Sequence, residues 1–228
     1  MQSLDLLANN IANASTGGYK GDSEFYTLFA SEAANEDALD TPSTAPMIER
    51  QWTDFSQGLL EPTNNPLDFG ISGKGFFVVQ SPSGPLYTRN GSFHVATDGT
   101  LVTADGYSLL GQTGQPLTAD LKQPVEVTLD GSIRQNGQLL GQLQLVDFPD
   151  PAVLAKQANN YFRNTSSQAP AESTGTQIYQ GKIETSNVSA AQGAVRLVSV
   201  MRQFEMMQKA ITISSEMSSK AISEVARV

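Results

Sequence analysis

The apolar positions of this chain change their period twice along its length. Near the start, Leu4, Leu7, Ile11 and Ala14 fall at 3–4–3 spacing, a two-heptad a/d seam that predicts a helix. Ser15-Thr16-Gly17-Gly18 predicts its end, because adjacent glycines supply the left-handed, entropically loose positions that stop helices. The helix and its terminating motif are assigned to residues 1–22. From Ser23 to Asp54 the residues become small and acidic, with Pro42 and Pro46, and an extended linker is expected over 23–65.

Between Pro66 and Tyr179 the period drops to two. Val125, Val127 and Leu129 alternate with Glu126, Thr128 and Asp130, and Gln142-Leu143-Gln144-Leu145 repeats the alternation. Phe76-Phe77-Val78-Val79 reads as a strand buried on both faces. Asn90-Gly91, Asp98-Gly99, Asp105-Gly106, Asp130-Gly131 and Asn136-Gly137 offer the positive-φ residues that tight hairpins require. A β domain is therefore expected over 66–182, followed by a C-terminal helix over 183–228.

That last stretch returns to a helical period. With Leu197 at a, the a series is Leu197, Phe204, Ile211, Ser218 and Val225, and the d series is Val200, Met207, Ser214, Ala221 and Val228. Eight of these ten positions are apolar, so the seam is nearly continuous. Glu205–Lys209 and Glu216–Lys220 are i,i+4 pairs in the favourable order, each contributing about 0.2–0.5 kcal/mol. A helix from Val195 to Val228 would be about 50 Å long. A domain of this size does not need that length to cover its core, so the seam calls for a partner, the N-terminal seam first; an amphipathic helix lying on its own β domain is the blander reading. The fold class expected is α+β, with coiled-coil-type helices flanking a central antiparallel, hairpin-rich β domain.

Composition narrows the function. Charged residues are 16% of the 228, against about 25% in an average soluble protein, and Ser, Thr, Asn and Gln supply 71 residues instead. A polar but weakly charged surface permits self-association. The net charge of −9 argues against a nucleic-acid partner and against polybasic membrane attachment. Cysteine is absent, which excludes disulfides, thiolate catalysis and cysteine-ligated metals. The N-terminus has no basic segment ahead of an apolar core, so no cleaved signal peptide is expected.

Candidate chemistry is sparse. His94 stands alone on a hairpin strand and reads as a solvent-facing residue rather than a base or a ligand. Gly70-Ile71-Ser72-Gly73-Lys74-Gly75 leads into a strand, not a helix N-terminus, and reads as a turn rather than a phosphate loop. Asp98, Asp105 and Asp130 each precede a turn glycine, which accounts for them without a ligand. Trp52 is the single tryptophan, too little for a glycan platform, and Met207 is a packing residue of the seam. No catalytic residue, cofactor, metal or small-molecule substrate is assigned.

Several motifs nevertheless stand in a telling order. Leu4 to Ala14 with Thr16-Gly17-Gly18-Tyr19-Lys20 resembles the N-terminal motif of the axial proteins of the bacterial flagellar rod and hook, specifically the basal-body rod subunits. Asp54-Phe55-Ser56-Gln57-Gly58, Asn65 to Phe69 and Gly73 to Val79 resemble that family's entry into its β domain. Tyr87-Thr88-Arg89-Asn90-Gly91-Ser92-Phe93, Asp98 to Val102 and Asp105-Gly106-Tyr107 resemble its hairpin signature. Glu184-Thr185-Ser186-Asn187-Val188 and Arg202-Gln203-Phe204-Glu205 are similar to its C-terminal motif, and the stretch to Ile211 is closest to the F-type proximal-rod branch.

The resemblance implies a hollow helical filament with the terminal helices in an inner tube and the β domain outside. It implies assembly residues Leu4, Leu7, Asn10, Ile11 and Asn13 at the N-terminus and Ser186, Asn187 and Val188 at the C-terminal motif. These join the seam residues Leu197, Val200, Phe204, Met207, Ile211, Ala221 and Val225. Implied partners are copies of the chain, other rod and hook subunits and the flagellar type III export apparatus. The implied place is the basal-body rod, crossing the periplasm. Family members carry roughly three more helical turns ahead of the position of Leu4. The competing reading is an extracellular enzyme or glycan-binding β domain with a dimerising helix.

Overall fold

The computed structural model describes residues 2–30, 44–120 and 123–225. The chain divides into two compact units, one formed by the helical ends and one spanning Asn13–Val188. In the first unit, α1 (Gln2–Ala12) packs on α2 (Ala190–Val225). Gly193 allows the close approach: a Cβ there would lie 2.8 Å from Ile11 Cγ1. Ser189 caps α2, its hydroxyl accepting from the Gln192 amide at 3.4 Å while its carbonyl accepts from Gly193 at 2.9 Å. Seam position Val228 and linker residue Pro42 lie outside the described residues.

The second unit is built of antiparallel strands. The first pair, β1 (Asp22–Ala30) and β2 (Thr44–Thr53), forms a two-stranded ribbon running from Asp22↔Thr53 to Ala30↔Thr44. Then follow β3 (Leu60–Pro62), β4 (Phe69–Ser72), β5 (Phe76–Ser81), β6 (Gly84–Thr88), β7 (Phe93–Val95), β8 (Leu101–Thr103) and β9 (Ser108–Leu109). Next come β10 (Val125–Val127), β11 (Ser132–Gln135), β12 (Gln138–Gln142), β13 (Leu145–Asp147), β14 (Leu154–Gln157) and β15 (Tyr161–Asn164). The last are β16 (Ala171–Glu172), β17 (Gln177–Gln180) and β18 (Lys182–Glu184). The main sheet runs β14-β15-β6-β5-β9-β8-β7, with β13 also on β5; β10-β11-β12 form a smaller sheet.

Phe76 to Val79 is buried on both faces, as its unbroken apolar run implies. Phe77 and Val79 enter a core with Phe69, Ile71, Leu101 and Ile178, while Phe76 and Val78 enter a second with Tyr87, Phe148 and Phe162. In the second core the Phe76 ring meets Phe55, Phe148 and Phe162 at 5.6, 6.0 and 5.7 Å, close to edge-to-face geometries. Each fully buried Phe or Ile contributes about 1.5–3 kcal/mol.

Four of the five turn dipeptides join strands that pair with each other, with Asn136 and Gly137 at φ 52° and 76° closing β11 onto β12. Asn90-Gly91 does not. Gly91 is instead a joint: the Phe69 amide donates to its carbonyl at 2.9 Å, and a Cβ on Gly91 would fall 1.7 Å from Phe69 O.

Three expected boundaries also move. The 23–65 segment is not a plain linker, because the β-forming residues Phe25 to Phe29 pair with 45–50, and β3 pairs with β18. Acidic composition averaged over the whole segment hid that run. The body therefore extends beyond 66–182 at both ends. The C-terminal helix begins at Ala190 rather than 183, since β18 occupies 182–184 and residues 185–188 are tied to the body. Leu129 lies in the turn after β10, 53% exposed, instead of continuing that strand.

Candidate assembly site

Ionisable side chains are rare here, so the three that are buried together stand out. Lys20, Arg89 and Glu184 are 0%, 4% and 0% exposed. The Lys20 ammonium donates to Glu184 Oε1 at 2.5 Å and to the Ser56 carbonyl at 2.7 Å. The Arg89 guanidinium donates to Glu184 Oε2 at 3.1 Å and to the Gly73 carbonyl at 2.8 Å, and lies 5.3 Å from the Phe76 ring centroid. The Gly58 amide completes the carboxylate, donating to Oε1 at 2.8 Å. Burial pushes Lys20 and Arg89 below their ordinary pKa ranges while the Glu184 carboxylate opposes that shift.

The backbone around this trio ties together the segments leading to the two terminal helices. Gly18 N–H donates to Glu184 O at 2.7 Å, and Asn187 N–H donates to Tyr19 O at 3.3 Å. The Asn187 side chain accepts from Gly21 N–H at 2.8 Å and donates to Asp54 O at 2.7 Å. Gly18, at φ 68°, would set a Cβ 2.3 Å from Asn90 N, so no side chain fits that crossing. Outside the trio, Lys156 donates to Lys20 O at 2.7 Å and Asp22 Oδ2 at 2.8 Å and covers the Tyr19 ring at 4.1 Å. This is a latch: its charges are sealed from solvent and present nothing to a substrate.

The candidate assembly residues separate into two groups. Leu4, Leu7, Asn10 and Ile11 lie on α1, with Leu7 6% exposed. Asn13 lies beyond the helix, its carbonyl accepting from Thr16 N–H at 3.0 Å and its Oδ1 from the Thr16 hydroxyl at 3.3 Å. Ser186, Asn187 and Val188 are not helical. They belong to the body, where the Ser186 hydroxyl accepts from Val188 N–H at 3.1 Å. Leu197, Val200, Phe204, Met207, Ile211, Ala221 and Val225 all lie on α2. Leu197 and Val200 are half-covered, whereas Phe204, Met207 and Ile211 are 40%, 66% and 69% exposed.

Lys20, Arg89 and Glu184 escaped the sequence reading as a site, although each sits inside a motif that carried the resemblance. His94 is exposed on β7, opposite Val102. Asp98 and Asp130 hold their own turns, through Thr100 N–H at 3.0 Å and the Ser132 hydroxyl at 2.7 Å. Asp105 also accepts from the Tyr161 hydroxyl at 2.7 Å.

Comparison with known proteins gives a consistent set. A family model described as flagella basal body rod protein matches residues 2–20. The flagellar hook protein FlgE/F/G D1 domain matches 70–140, and the flagellar basal body rod FlgEFG protein C-terminal model matches 179–224. Each matched segment thus supplies one charge of the buried trio. The flagellar basal-body rod protein FlgF of Caulobacter vibrioides is 34% identical over 228 residues, covering 99% of this chain and 92% of its own length. FlgG of Buchnera aphidicola subsp. Acyrthosiphon pisum is also 34% identical, covering 95% and 92%. FlgF of Mesorhizobium japonicum is 29% identical, covering 96% and 90%.

Proposed function

The chain belongs to the family of flagellar basal-body rod proteins, FlgF-like in character, and from that premise we propose how it works as a structural subunit of the rod. It is not an enzyme, and the competing reading of an extracellular enzyme or glycan binder has no support. Its terminal helices associate, in coiled-coil fashion, with those of other copies and of neighbouring rod and hook subunits. The product is a hollow shaft that crosses the periplasm, transmits torque and leaves a central export channel. The subunit reaches that place through the flagellar type III export apparatus.

The observation that carries this reading is the bare seam of α2. Phe204, Met207 and Ile211 hold a helical register yet remain 40–69% exposed, an arrangement that packing against another helix would relieve. Replacing Phe204 by Asp or Ile211 by Glu would place an unpaired carboxylate in that contact, at a cost of several kcal/mol, roughly 3–5 for an uncompensated buried charge. Cells carrying either variant are expected to be non-motile and to lack a completed rod. The β-strand circular dichroism of the purified subunit should stay unchanged, and Gln203→Glu should be tolerated. Normal swimming by the Phe204 and Ile211 variants would refute the reading.

A further inference from the structure

Two asparagines of this chain, Asn90 and Asn136, are followed by glycine, and the same dipeptide stands in two opposite settings. The pair is chemically reactive wherever it is free to move. The backbone nitrogen of the glycine, unhindered by a Cβ, can attack the carboxamide carbon of the asparagine before it. Every other asparagine precedes a residue that carries a Cβ.

Asn90 is held from several sides. Its Oδ1 accepts from the Ser92 amide at 3.1 Å, and its own amide donates to Thr88 Oγ1 at 3.0 Å. Gly91 is buried, its carbonyl accepts from the Phe69 amide, and the Phe69 carbonyl leaves it no room for even a Cβ. Asn136 is the reverse case. It and Gly137 are exposed at the tip of the β11–β12 hairpin, and open space surrounds the position that a Gly137 Cβ would take. Among the described residues, no hydrogen bond holds the Asn136 carboxamide.

We infer that Asn136, and not Asn90, is a site of spontaneous deamidation in the folded subunit. The Gly137 nitrogen bonds to Asn136 Cγ, the carboxamide nitrogen departs as ammonia with the displaced proton, and a cyclic imide closes. Water then opens the ring. Attack at Cγ returns an aspartate, whereas attack at the backbone carbonyl carbon leaves isoaspartate, whose main chain runs through Cβ and Cγ. Water enters and ammonia leaves, with no change of oxidation state. Either product adds a negative charge to a chain already at −9. Isoaspartate also lengthens the turn by a backbone carbon. Gln135 cannot follow, because its side chain donates to Asp120 O at 2.8 Å and to Gln123 O at 2.9 Å. The Gln135↔Gln138 closure is therefore lost, and the start of β12, where Leu139 is 62% exposed, is freed.

The purified full chain, kept folded in mildly alkaline buffer, tests this by peptide mass mapping over time. The peptide bearing Asn136 is expected to gain the mass of an amide-to-acid conversion and to become a substrate for an isoaspartyl methyltransferase. The peptide bearing Asn90 should convert at least roughly tenfold more slowly, since its buried joint must first open. In concentrated urea the two should convert at similar rates, because the dipeptide alone then governs. Amide exchange at Gln138 and Leu139 should quicken in the converted chain, while Phe77 and Val79 keep their protection. Equal conversion of both sites in the folded chain would overturn the inference. So would an Asn136 that stays intact when folded yet converts in urea. Unchanged exchange at Gln138 would overturn the loss of closure.

Discussion

The β body and the helical ends of this subunit are stabilised by different means. The body buries Phe69, Phe77, Leu101 and Ile178 in one core and Phe76 and Phe162 in another, and holds Lys20, Arg89 and Glu184 in a buried ion network. Its contacts are long-range and internal. The helical unit has Leu7 as its buried anchor, and from Met201 to Lys220 every residue of α2 is exposed. Most of the stability of a helix comes from packing of its apolar side, and in the proposed assembly other molecules would supply that packing. A part that must hold its shape is self-contained, whereas a part that must join copies is unfinished by itself.

The contrast is broken most directly at the latch. Glu184→Ala leaves Lys20 and Arg89 buried without their carboxylate, a loss of about 3–5 kcal/mol. Urea denaturation followed by the strand signal should show that loss, whereas helical ellipticity should change little before the body unfolds. Gly91→Ala comes next. Its Cβ would collide with Phe69 O, and forcing the joint apart is expected to cost about 1–3 kcal/mol, read by the same titration.

Alkaline pH sharpens the comparison more gently. Burial, helped by Asp22, pushes the Tyr19 phenol up to about 12, and burial also raises Tyr87 and Tyr161. The folded body keeps protons that the unfolded chain releases near pH 10, so this stability is full below pH 10 and declines as pH rises toward 12. Lys20, whose pKa burial lowers, acts in the opposite sense up to its ordinary value of 10.5, so the decline should steepen above that pH. Thermal melts of the strand signal across this range test it; α2 contains no tyrosine and should show no matching step. The smallest effect is expected at the α2 cap. Ser189→Ala should cost about 0.5–1 kcal/mol of helix, lowering helical ellipticity without shifting the midpoint of the body.

What could be read in advance follows the range of the interactions. Phe76 to Val79, the Asn136-Gly137 turn and the heptads around Phe204 announce themselves within a few residues, and the structure places them accordingly. The pairing of β3 with β18 and the ion trio join residues more than 90 positions apart, and no local period encodes them. Asn90-Gly91 carries the dipeptide of a hairpin, yet its tertiary setting uses the glycine for close approach. The clue that was present was chemical. In a chain with 16% charge, Lys20, Arg89 and Glu184 each sit inside a motif that carried the family resemblance.

The latch is also expected to slow folding. Lys20 and Glu184 are 164 residues apart, so the contact that neutralises the interior charges is among the last the chain can make. Closing a loop of that length costs about 2.5 kcal/mol more in chain entropy than closing one of ten residues, roughly a sixtyfold slower encounter if nothing else intervenes. Hairpins such as β11–β12 can form early, but until Glu184 arrives Lys20 and Arg89 have no anion to draw them out of water. A polypeptide so arranged cannot complete its body until nearly its whole length is free.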